Sequence, residues 1–569
     1  MIKKLLFVAA LASATCSLAA NADKAETTSE PVIEMRADRI FIYPQRLELT
    51  GEETLLDILL MFPDQMQTGF ESMIGNYNLR ISNIPVNGNT RLLCSQIKAK
   101  DVRRVQICDN SGVAKGSVGM GRVIDINLLT MEKGAHGAID AQYGTDNLLS
   151  PSAQVKVGTG KTDIIANASY NWQDKYDQVK RDEYFDVHMA NRFSKHDLLN
   201  TAFTQTYKND RVAPDTKATM QKYYGRADYY HDFNDLGTQL LVLGGYVYSD
   251  GPQTVYADDS KVVTGTRDNT FFSVVELNTP LGTPKLDMML GWEGDWDYST
   301  YHLNDGAKTE HNYMCSNNDI YLQFDYRPAD KWKLTAGARG MIFHYGVDGN
   351  TKHEMRWNSN ASAIFAPTKN HQIQAAYFHK FFSPAYSANK TVSETDWMDM
   401  RGKLVACNID EWKLAYTYSR KDLTANVTSS YFKREKMDDA WTPGGTNYYY
   451  ISDLWKTSAN LYYKVGMLSL NVGANYYYLK DDDNYAAFTV APKLYLPSGW
   501  QIAPKAIFFT DNVTSATTLA ALPYADYSKT YAALQVDKQL GSHVNLMAQW
   551  HDIFSSRYSA ALFSVQYRF

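Results

Sequence analysis

Apolar and polar side chains alternate along the chain from about residue 136 to its end. In the C-terminal segment, every odd position from Ala561 to Phe569 is apolar, whereas Ser564, Gln566 and Arg568 stand between them. The same alternation recurs in TDIIANASYNW, KWKLTAGAR, MLSLNVGANYYYL and HVNLMAQWH. Because successive side chains of a β-strand point to opposite faces, this period of two predicts strands with one apolar face and one polar face.

Short turns alternate with longer polar segments between the predicted strands. The short turns fall at Gly158–Lys161, Ser194–Asp197, Phe233–Gly237, Pro280–Lys285, Arg327–Lys331, Thr368–His371, Arg420–Asp422, Val465–Met467, Pro497–Trp500 and Leu540–His543. The longer segments are Ser249–Asn269, Leu303–Asn318, Ser383–Asp410, Lys433–Asp453 and Thr510–Lys529. This rhythm is typical of an all-β outer-membrane protein, and it predicts a transmembrane barrel of about 22 antiparallel strands over residues 134–569. The lumen of so wide a barrel needs a plug.

The N-terminus has the pattern of an export signal. Lys3 and Lys4 precede the apolar run Leu5–Ala14, and the tripeptide ANA ends at Ala22. The run is too short to span a bilayer as a helix, so residues 1–22 are predicted to be a cleaved signal peptide. An exported chain of alternating strands is expected in the outer membrane of a Gram-negative cell, in contact with its lipid.

Composition narrows the function. Tyr is unusually frequent, with 40 residues against 23 of Phe, and its amphipathic ring suits strands and membrane interfaces alike. The net charge of −5 at pH 7 gives no sign of the basic face that a nucleic-acid partner requires. The sequence shows no nucleophile elbow, phosphate loop or metalloprotease motif. We therefore expect neither an enzyme nor a cofactor.

A shorter region of mixed character, residues 37–133, precedes the alternating part. It holds a strand-like IFIYP, a helix-like GEETLLDILLMFP with acidic residues in its first turn, and an Asn-Gly turn at Asn87. Two further strand-like stretches, DVRRVQI and GRVIDINLL, are joined through a glycine-rich bend. This pattern predicts a small α/β domain.

The mixed region resembles the plug domain of TonB-dependent receptors. The resemblance rests on TLLDILLMFP, on LRISNIPVNGN and, most specifically, on IKAKDVRRVQICDNSGVAKGSVGMGRVIDINL. It extends into the barrel at ACNIDEWKLAYTYSRK and so covers nearly the whole mature chain. It implies that residues 37–133 form a plug inside the lumen of the barrel.

The resemblance also implies a function and partners. Members of the family import scarce ligands, and a periplasmic TonB-type protein supplies energy by pulling on an N-terminal segment of the plug. Here residues 23–36 are expected to be flexible and to contain a degenerate version of that segment, with Val32, Ile33 and Glu34 as candidate coupling residues. Pro31 and Glu34 interrupt the usual pattern, so an uncoupled flexible N-terminus is the alternative.

Two functional hypotheses follow. The first is an importer of a small ligand such as a metal chelate or siderophore, haem or a corrinoid, with a surface lipoprotein as a candidate further partner. The second is a non-transporting surface barrel, an adhesin or structural protein, with a vestigial plug.

Aromatic side chains on two long outer segments are candidate ligand contacts, because they offer contact area at low entropic cost. These candidates are Trp397, Asp399, Trp441, Tyr448 and Tyr449. A rim girdle of aromatic residues is the alternative interpretation.

Four cysteines of the mature chain are candidates for disulfides in an oxidising compartment. Of the three possible pairings, the simplest are Cys94–Cys108 in the plug and Cys315–Cys407 between outer loops. Free buried thiols are the alternative. We predict no metal site, because the spacing of His302, His311 and Cys315 matches no standard ligand motif.

Overall fold

A computed structural model gives the fold of this protein. It describes residues 31–36, 39–49, 53–59, 77–81, 84–85, 94, 97–108, 122–129, 133–145, 147–175, 178–233, 237–257, 260–305, 307–382, 407–434, 453–479, 484–510, 530–554 and 559–569. Within these residues, no helix is long and apolar enough to cross a membrane.

Twenty-two strands of the described residues form a closed antiparallel barrel, in which each strand pairs with the next along the chain and the last pairs with the first. Their bounds are β7 Gly134–Gly144, β8 Leu148–Gly158, β9 Thr162–Lys175, β10 Gln178–Arg192, β11 Asp197–Ala213, β12 Thr216–Asp232, β13 Gln239–Ala257, β14 Ser260–Pro280, β15 Leu286–Asn304, β16 Lys308–Ala329, β17 Trp332–Val347, β18 Asn350–Phe365, β19 His371–Phe382, β20 Cys407–Ser419, β21 Leu423–Arg434, β22 Asp453–Val465, β23 Leu468–Leu479, β24 Tyr485–Leu496, β25 Trp500–Phe509, β26 Thr530–Leu540, β27 Val544–His551 and β28 Ala560–Arg568. The predicted fold class is confirmed.

The two faces of the barrel strands separate as the alternation predicts. On β28, Phe563 is 49 % exposed and Val565 is 40 % exposed, whereas Ser564 and Gln566 between them are each 5 % exposed. An antiparallel barrel in lipid has its apolar band outside and its polar face toward the lumen. Buried polar side chains of the strands therefore mark the lumen wall.

All ten predicted short turns connect consecutive strands, and we call this end of the barrel the turn rim and the opposite end the loop rim. Two of the predicted long loops are wrong. Residues 249–269 and 303–318 lie mostly in the hairpins β13–β14 and β15–β16, whose pairing continues without a shift to within a few residues of the tip. The 19 residues of β13 would extend about 60 Å, roughly twice the thickness of the hydrocarbon core, so polar sequence there is compatible with continued pairing beyond the membrane.

The mixed domain is a six-stranded sheet in the order β1-β2-β5-β6-β3-β4, with β3 and β6 parallel. Its strands are β1 Ile33–Met35, β2 Ile40–Ile42, β3 Tyr77–Ile81, β4 Ile84–Pro85, β5 Val102–Cys108 and β6 Arg122–Leu128. One α-helix, α1 (Leu55–Leu59), and two 3-10 turns, Pro44–Arg46 and Ala99–Asp101, accompany it. The sheet begins at Ile33, inside the segment predicted to be flexible, because β1 pairs with β2 along its whole length.

The core of this domain is continuous with the barrel wall. Leu55, Ile58 and Val105 are fully buried, and Ile165 of β9 and Tyr462 of β22 belong to the same cluster of buried side chains. The small domain therefore lies inside the barrel as a plug.

Candidate functional site: the junction between plug and barrel

The first strand of the plug is held directly by the barrel wall. The N–H of Ile33 donates to Ser419 Oγ at 2.8 Å. Gln372 makes two bonds, accepting from the N–H of Met35 at 2.8 Å and donating from Nε2 to the carbonyl of Ile33 at 2.7 Å. Since β1 is the edge of the plug sheet, the Gln372 amide takes the place of a neighbouring strand and satisfies buried backbone groups.

A charged contact reinforces this hold. Lys333 Nζ of β17 lies 2.5 Å from Glu34 Oε1, and the Tyr43 hydroxyl donates to Glu34 Oε2 at 3.1 Å. Burial raises the pKa of Glu34, but the hydrogen bond and charge of Lys333, the charge of Arg36 and the Tyr43 hydroxyl together outweigh it and hold the pKa below its usual value. Glu34 is therefore a stable carboxylate at neutral pH.

A second anchor joins the start of α1 to β22 and β24. Lys464 Nζ donates to Glu53 Oε1, and Lys493 Nζ lies 2.6 Å from Asp57 Oδ1. The other Asp57 oxygen accepts from the N–H of Thr54 at 2.8 Å and thereby caps the helix. The short helix is thus fixed at its N-terminal end to two barrel strands.

The charges of this second anchor are balanced and largely out of water. The Glu53 side chain is 1 % exposed and that of Lys464 is 4 % exposed. Both lysine ammonium groups lie over the Tyr495 ring, at 5.3 and 5.0 Å from its centroid. Burial raises the pKa of Asp57, but the charge and hydrogen bond of Lys493 and the bonds from Thr54 lower it by more. The pKa of Asp57 therefore lies below its usual value.

These anchors lie at the turn rim. Lys333 follows the turn at 329–332, Lys464 precedes the turn at 465–468, and Lys493 lies a few residues before the turn at 496–500. A backbone bond from the N–H of Glu48 to the carbonyl of Lys421, in the turn between β20 and β21, adds to them. The alternation in KWKLTAGAR puts Lys333 on the polar face of its strand, but it does not identify any of these side chains as anchors. The sequence feature that could have identified these anchors is a lysine on the polar face of a strand, close to a short turn.

The lumen wall also carries a buried ionic network away from the plug anchors. The Arg339 side chain is fully buried on β17 and donates to Asp319 on β16 and to Glu293 on β15. Its guanidinium lies 5.1 Å from the centroid of the Tyr321 ring, and the Tyr321 hydroxyl donates to Glu276 at 2.8 Å. This network crosses four strands, β14–β17, and ties them on the inner face.

The structure places the three candidate coupling residues at the plug–barrel junction. Val32 is 1 % exposed and Ile33 is 5 % exposed, and Glu34 makes the bond to Lys333. The candidate ligand contacts all lie outside the described residues, and these are Trp397, Asp399, Trp441, Tyr448 and Tyr449.

The cysteines differ from the sequence expectation. Cys94 is a buried free thiol in the plug core, so the predicted Cys94–Cys108 bridge is wrong. Its environment of packed aliphatic side chains accommodates a reduced thiol as a small apolar group. Cys315 lies within β16 and not on an outer loop, and packs in a buried cluster with Phe343 and Phe381. The Cys407 side chain lies outside the described residues, so the Cys315–Cys407 pairing stays a prediction.

Comparison with known proteins agrees with this architecture. Residues 138–392 match the family model described as TonB dependent receptor-like, beta-barrel. No curated protein matches the chain by sequence.

Solved structures share the fold along nearly the whole chain. The siderophore receptor PiuA of Acinetobacter baumannii has a TM-score of 0.68 at 11 % identity, covering 95 % of this chain and 97 % of that one. The copper transporter OprC has a TM-score of 0.67 at 10 % identity, covering 94 % and 99 %. The alcaligin receptor FauA of Bordetella pertussis has a TM-score of 0.64 at 12 % identity, covering 96 % and 98 %.

The closed barrel with a small domain in its lumen is the fold that this chain shares with those receptors and that transporter. The match over residues 138–392 is to the β-barrel of TonB-dependent receptors, and the resemblance that the sequence indicates is confirmed.

Proposed function

We propose that this protein imports a small, scarce ligand across the outer membrane with energy from a TonB-type periplasmic protein, and that it is not an enzyme. The observation that carries the proposal is the attachment of β1 to the barrel at the turn rim through Gln372, Ser419 and Lys333. Force applied to the chain upstream of Pro31 acts first on these few bonds.

Force at this point has a local effect. β1 is three residues long, and among the described plug residues it pairs only with β2. Removing β1 breaks the Glu34–Lys333 contact and the Gln372 bonds while leaving α1 held by Lys464 and Lys493. The N-terminal part of the plug is therefore the part that a periplasmic partner releases first, and residues Val32–Glu34 are the segment that this partner binds and pulls.

The ligand class is proposed from the architecture and its neighbours. A siderophore receptor and a copper transporter among the similar structures favour a metal chelate or metal ion, and haem and corrinoids remain alternatives of similar size. Ligand contacts are proposed on the outer segments at Trp397, Asp399, Trp441, Tyr448 and Tyr449, where aromatic rings supply contact area. A surface lipoprotein is a proposed further partner.

The first test is uptake of radiolabelled ferric chelates, haem and cobalamin by cells with and without the TonB-type coupler. We expect uptake of one ligand that disappears when the coupler is deleted. Uptake that survives the deletion would overturn energised import.

The second test tethers β1 to the barrel. A variant carrying Glu34→Cys and Lys333→Cys is treated with a short bismaleimide. The two variants that carry only one of these substitutions receive the same reagent as controls. We expect uptake to stop only in the tethered double variant. Normal uptake by the tethered protein would contradict release of β1.

The second candidate function, a non-transporting barrel with a vestigial plug, is favoured by the burial of Val32 and Ile33. It predicts no binding of the coupler to a peptide of residues 30–38 and no ligand uptake.

A further inference from the structure

Two histidines face each other across the hairpin of β17 and β18 at the loop rim. The register pairs His344 with His353, and their ring centroids are 4.2 Å apart with the ring planes at 78°. The hairpin turns at Asp348 and Gly349, whose φ angles of 49° and 84° are those of a two-residue turn that matches the twist of its strands. The turn fixes the register and thereby the facing of the two rings.

The alternation of strand pairs brings these side chains close together. Val347 and Asn350 form the pair that closes the two-residue turn. This closing pair is of the wider, hydrogen-bonded type, and the two types of pair alternate along the strands from there. The His344–His353 pair is of the non-hydrogen-bonded type, in which the Cα atoms approach to about 4.5 Å. Two side chains are closer together in a pair of this type than in a hydrogen-bonded pair.

The pair lies on the outer surface of the barrel. Ile342 and Met355, which share the faces of these two strands with His344 and His353, are 53 % and 75 % exposed. Phe343 and Tyr345 point the other way and are buried. The rings therefore do not belong to the plug junction or to the lumen wall.

The two rings have no hydrogen-bond partner within the part of the chain that the structure describes, whereas five other histidines do. The bonds of these five run to carboxylates, a hydroxyl or a carbonyl, in His231–Asp197, His311–Asp348, His379–Asp410, His371–Tyr416 and His543–Arg568. Each of those contacts occupies a ring nitrogen. His344 and His353 keep their nitrogens available.

We propose that His344 and His353 form a two-histidine site for a divalent transition-metal ion, with Cu²⁺ preferred. Imidazole nitrogens suit copper, nickel and zinc, and affinity for a given site rises to a maximum at Cu²⁺. Nitrogens bound at about 2.0 Å would set the ring centroids about 4.4 Å apart at the right angle of a square-planar ion and about 5.1 Å apart at the tetrahedral angle. The observed 4.2 Å lies within about 1 Å of both values, so the two rings are close enough to share one ion, and the preference for Cu²⁺ rests on its higher affinity for nitrogen ligands.

The protein supplies two ligands of this site, and water completes it. In the described residues, no three His, Cys, Asp or Glu side chains converge in a way that would hold a metal ion. The site is thus open on its outer side, as a loading or capture site would be and as a closed structural site is not. The proposal is independent of the proposed import function, since it concerns a different face of the barrel.

The experiment titrates the tag-free mature protein in detergent micelles with Cu²⁺, followed by calorimetry and electron paramagnetic resonance. We expect a copper signal with coupling to two nitrogens, and a loss of affinity of more than about tenfold in both His344→Gln and His353→Gln. His379→Gln is the matched control, because His379 lies on the same outer surface but is bonded to Asp410.

Two results would overturn the proposal. One is unchanged copper affinity in both variants, and the other is an equal loss in the His379→Gln control. Far-ultraviolet circular dichroism and heat-modifiable migration establish that each variant is folded. Zn²⁺ titrated under the same conditions should bind more weakly than Cu²⁺, and tighter binding of Zn²⁺ would contradict the preference for Cu²⁺.

Discussion

Lys333 Nζ lies 2.5 Å from Glu34 Oε1, across a sequence separation of 299 residues. This contact is one of the few that connect the first plug strand to the barrel, and it is partly open to water, with side-chain exposures of 34 % and 22 %. A contact of this kind is strong enough to order a strand and weak enough to be broken by a partner. Weakening the Lys333–Glu34 contact should therefore make release of the plug easier, and this effect can be measured.

Replacing Lys333 by Met should loosen β1. Glu34 would remain half-buried with only Tyr43 and Arg36 nearby, and solvent screening limits the loss to about 1 kcal/mol. In planar bilayers, channels of the variant should open at a lower urea concentration than those of the wild-type protein. Lys331→Met, in the exposed turn beside it, is the control. Identical opening of Lys333→Met and wild-type channels would show that the ion pair does not hold the plug.

The deeper anchor should cost more to break. Lys464→Met leaves the Glu53 carboxylate buried without its ammonium partner, and such a loss costs about 3–5 kcal/mol. Adding Glu53→Gln to this variant removes the stranded charge and should recover most of the stability. The same urea-dependent opening measures both variants, with Lys161→Met in an exposed turn as control. If the double variant were no more stable than Lys464→Met alone, the unpaired buried carboxylate of Glu53 would not be the cause of the lost stability.

Acid should loosen the plug at both anchors. The folded pKa values of Glu34 and Asp57 lie below their usual values of 4.5 and 3.8. A depressed carboxyl pKa contributes stability that is present above the unfolded value and is lost as the pH falls through the folded value. We expect little change in channel opening from pH 7 to pH 5 and an increase below about pH 4. Glu34→Gln combined with Asp57→Asn should reduce this acid response, and an unaltered response in that variant would contradict the assignment.

Strand periodicity and turn spacing were sufficient to predict the barrel. The apolar row ending at Phe569 and the ten short turns depend on local rules, namely the period of two and the preference of turns for particular residues. The hairpin from Gln239 to Pro280 was mistaken in part for a loop, because polar residues outside the membrane also form paired strands. Periodicity reports the surroundings of a strand and not its length.

The contacts between distant segments were beyond sequence reasoning. The Lys333–Glu34 contact joins residues that no local pattern relates, and the burial of Cys94 as a thiol follows from the packing of the plug. His344 and His353 are a different case. They stand symmetrically about Asp348-Gly349, so an assigned two-residue turn at that dipeptide would have paired them from sequence alone.

The Arg339 network should stabilise the barrel wall rather than the plug. Arg339→Met leaves Asp319 and Glu293 facing each other across β15 and β16 without a cation. Loss of one partner from a buried network costs about 3–5 kcal/mol. The expected result is a lower temperature of barrel unfolding, read from heat-modifiable migration on gels. Arg327→Met, whose side chain is 48 % exposed at the turn rim, should leave that temperature unchanged, and a similar fall in both variants would argue against the network.

Cys94 provides an internal reporter of plug release. Burial raises the pKa of its thiol, and the thiolate is the form that reacts with maleimides, so labelling should be slow while the plug is folded. In a background in which the other mature cysteines are serine, Lys464→Met should accelerate labelling of Cys94 in proportion to plug opening, whereas Lys161→Met should not. Non-reducing alkylation of the unfolded wild-type protein should also modify Cys94. Recovery of an intact Cys94–Cys108 disulfide in that experiment would contradict the free thiol in the plug core and would exclude Cys94 as a reporter.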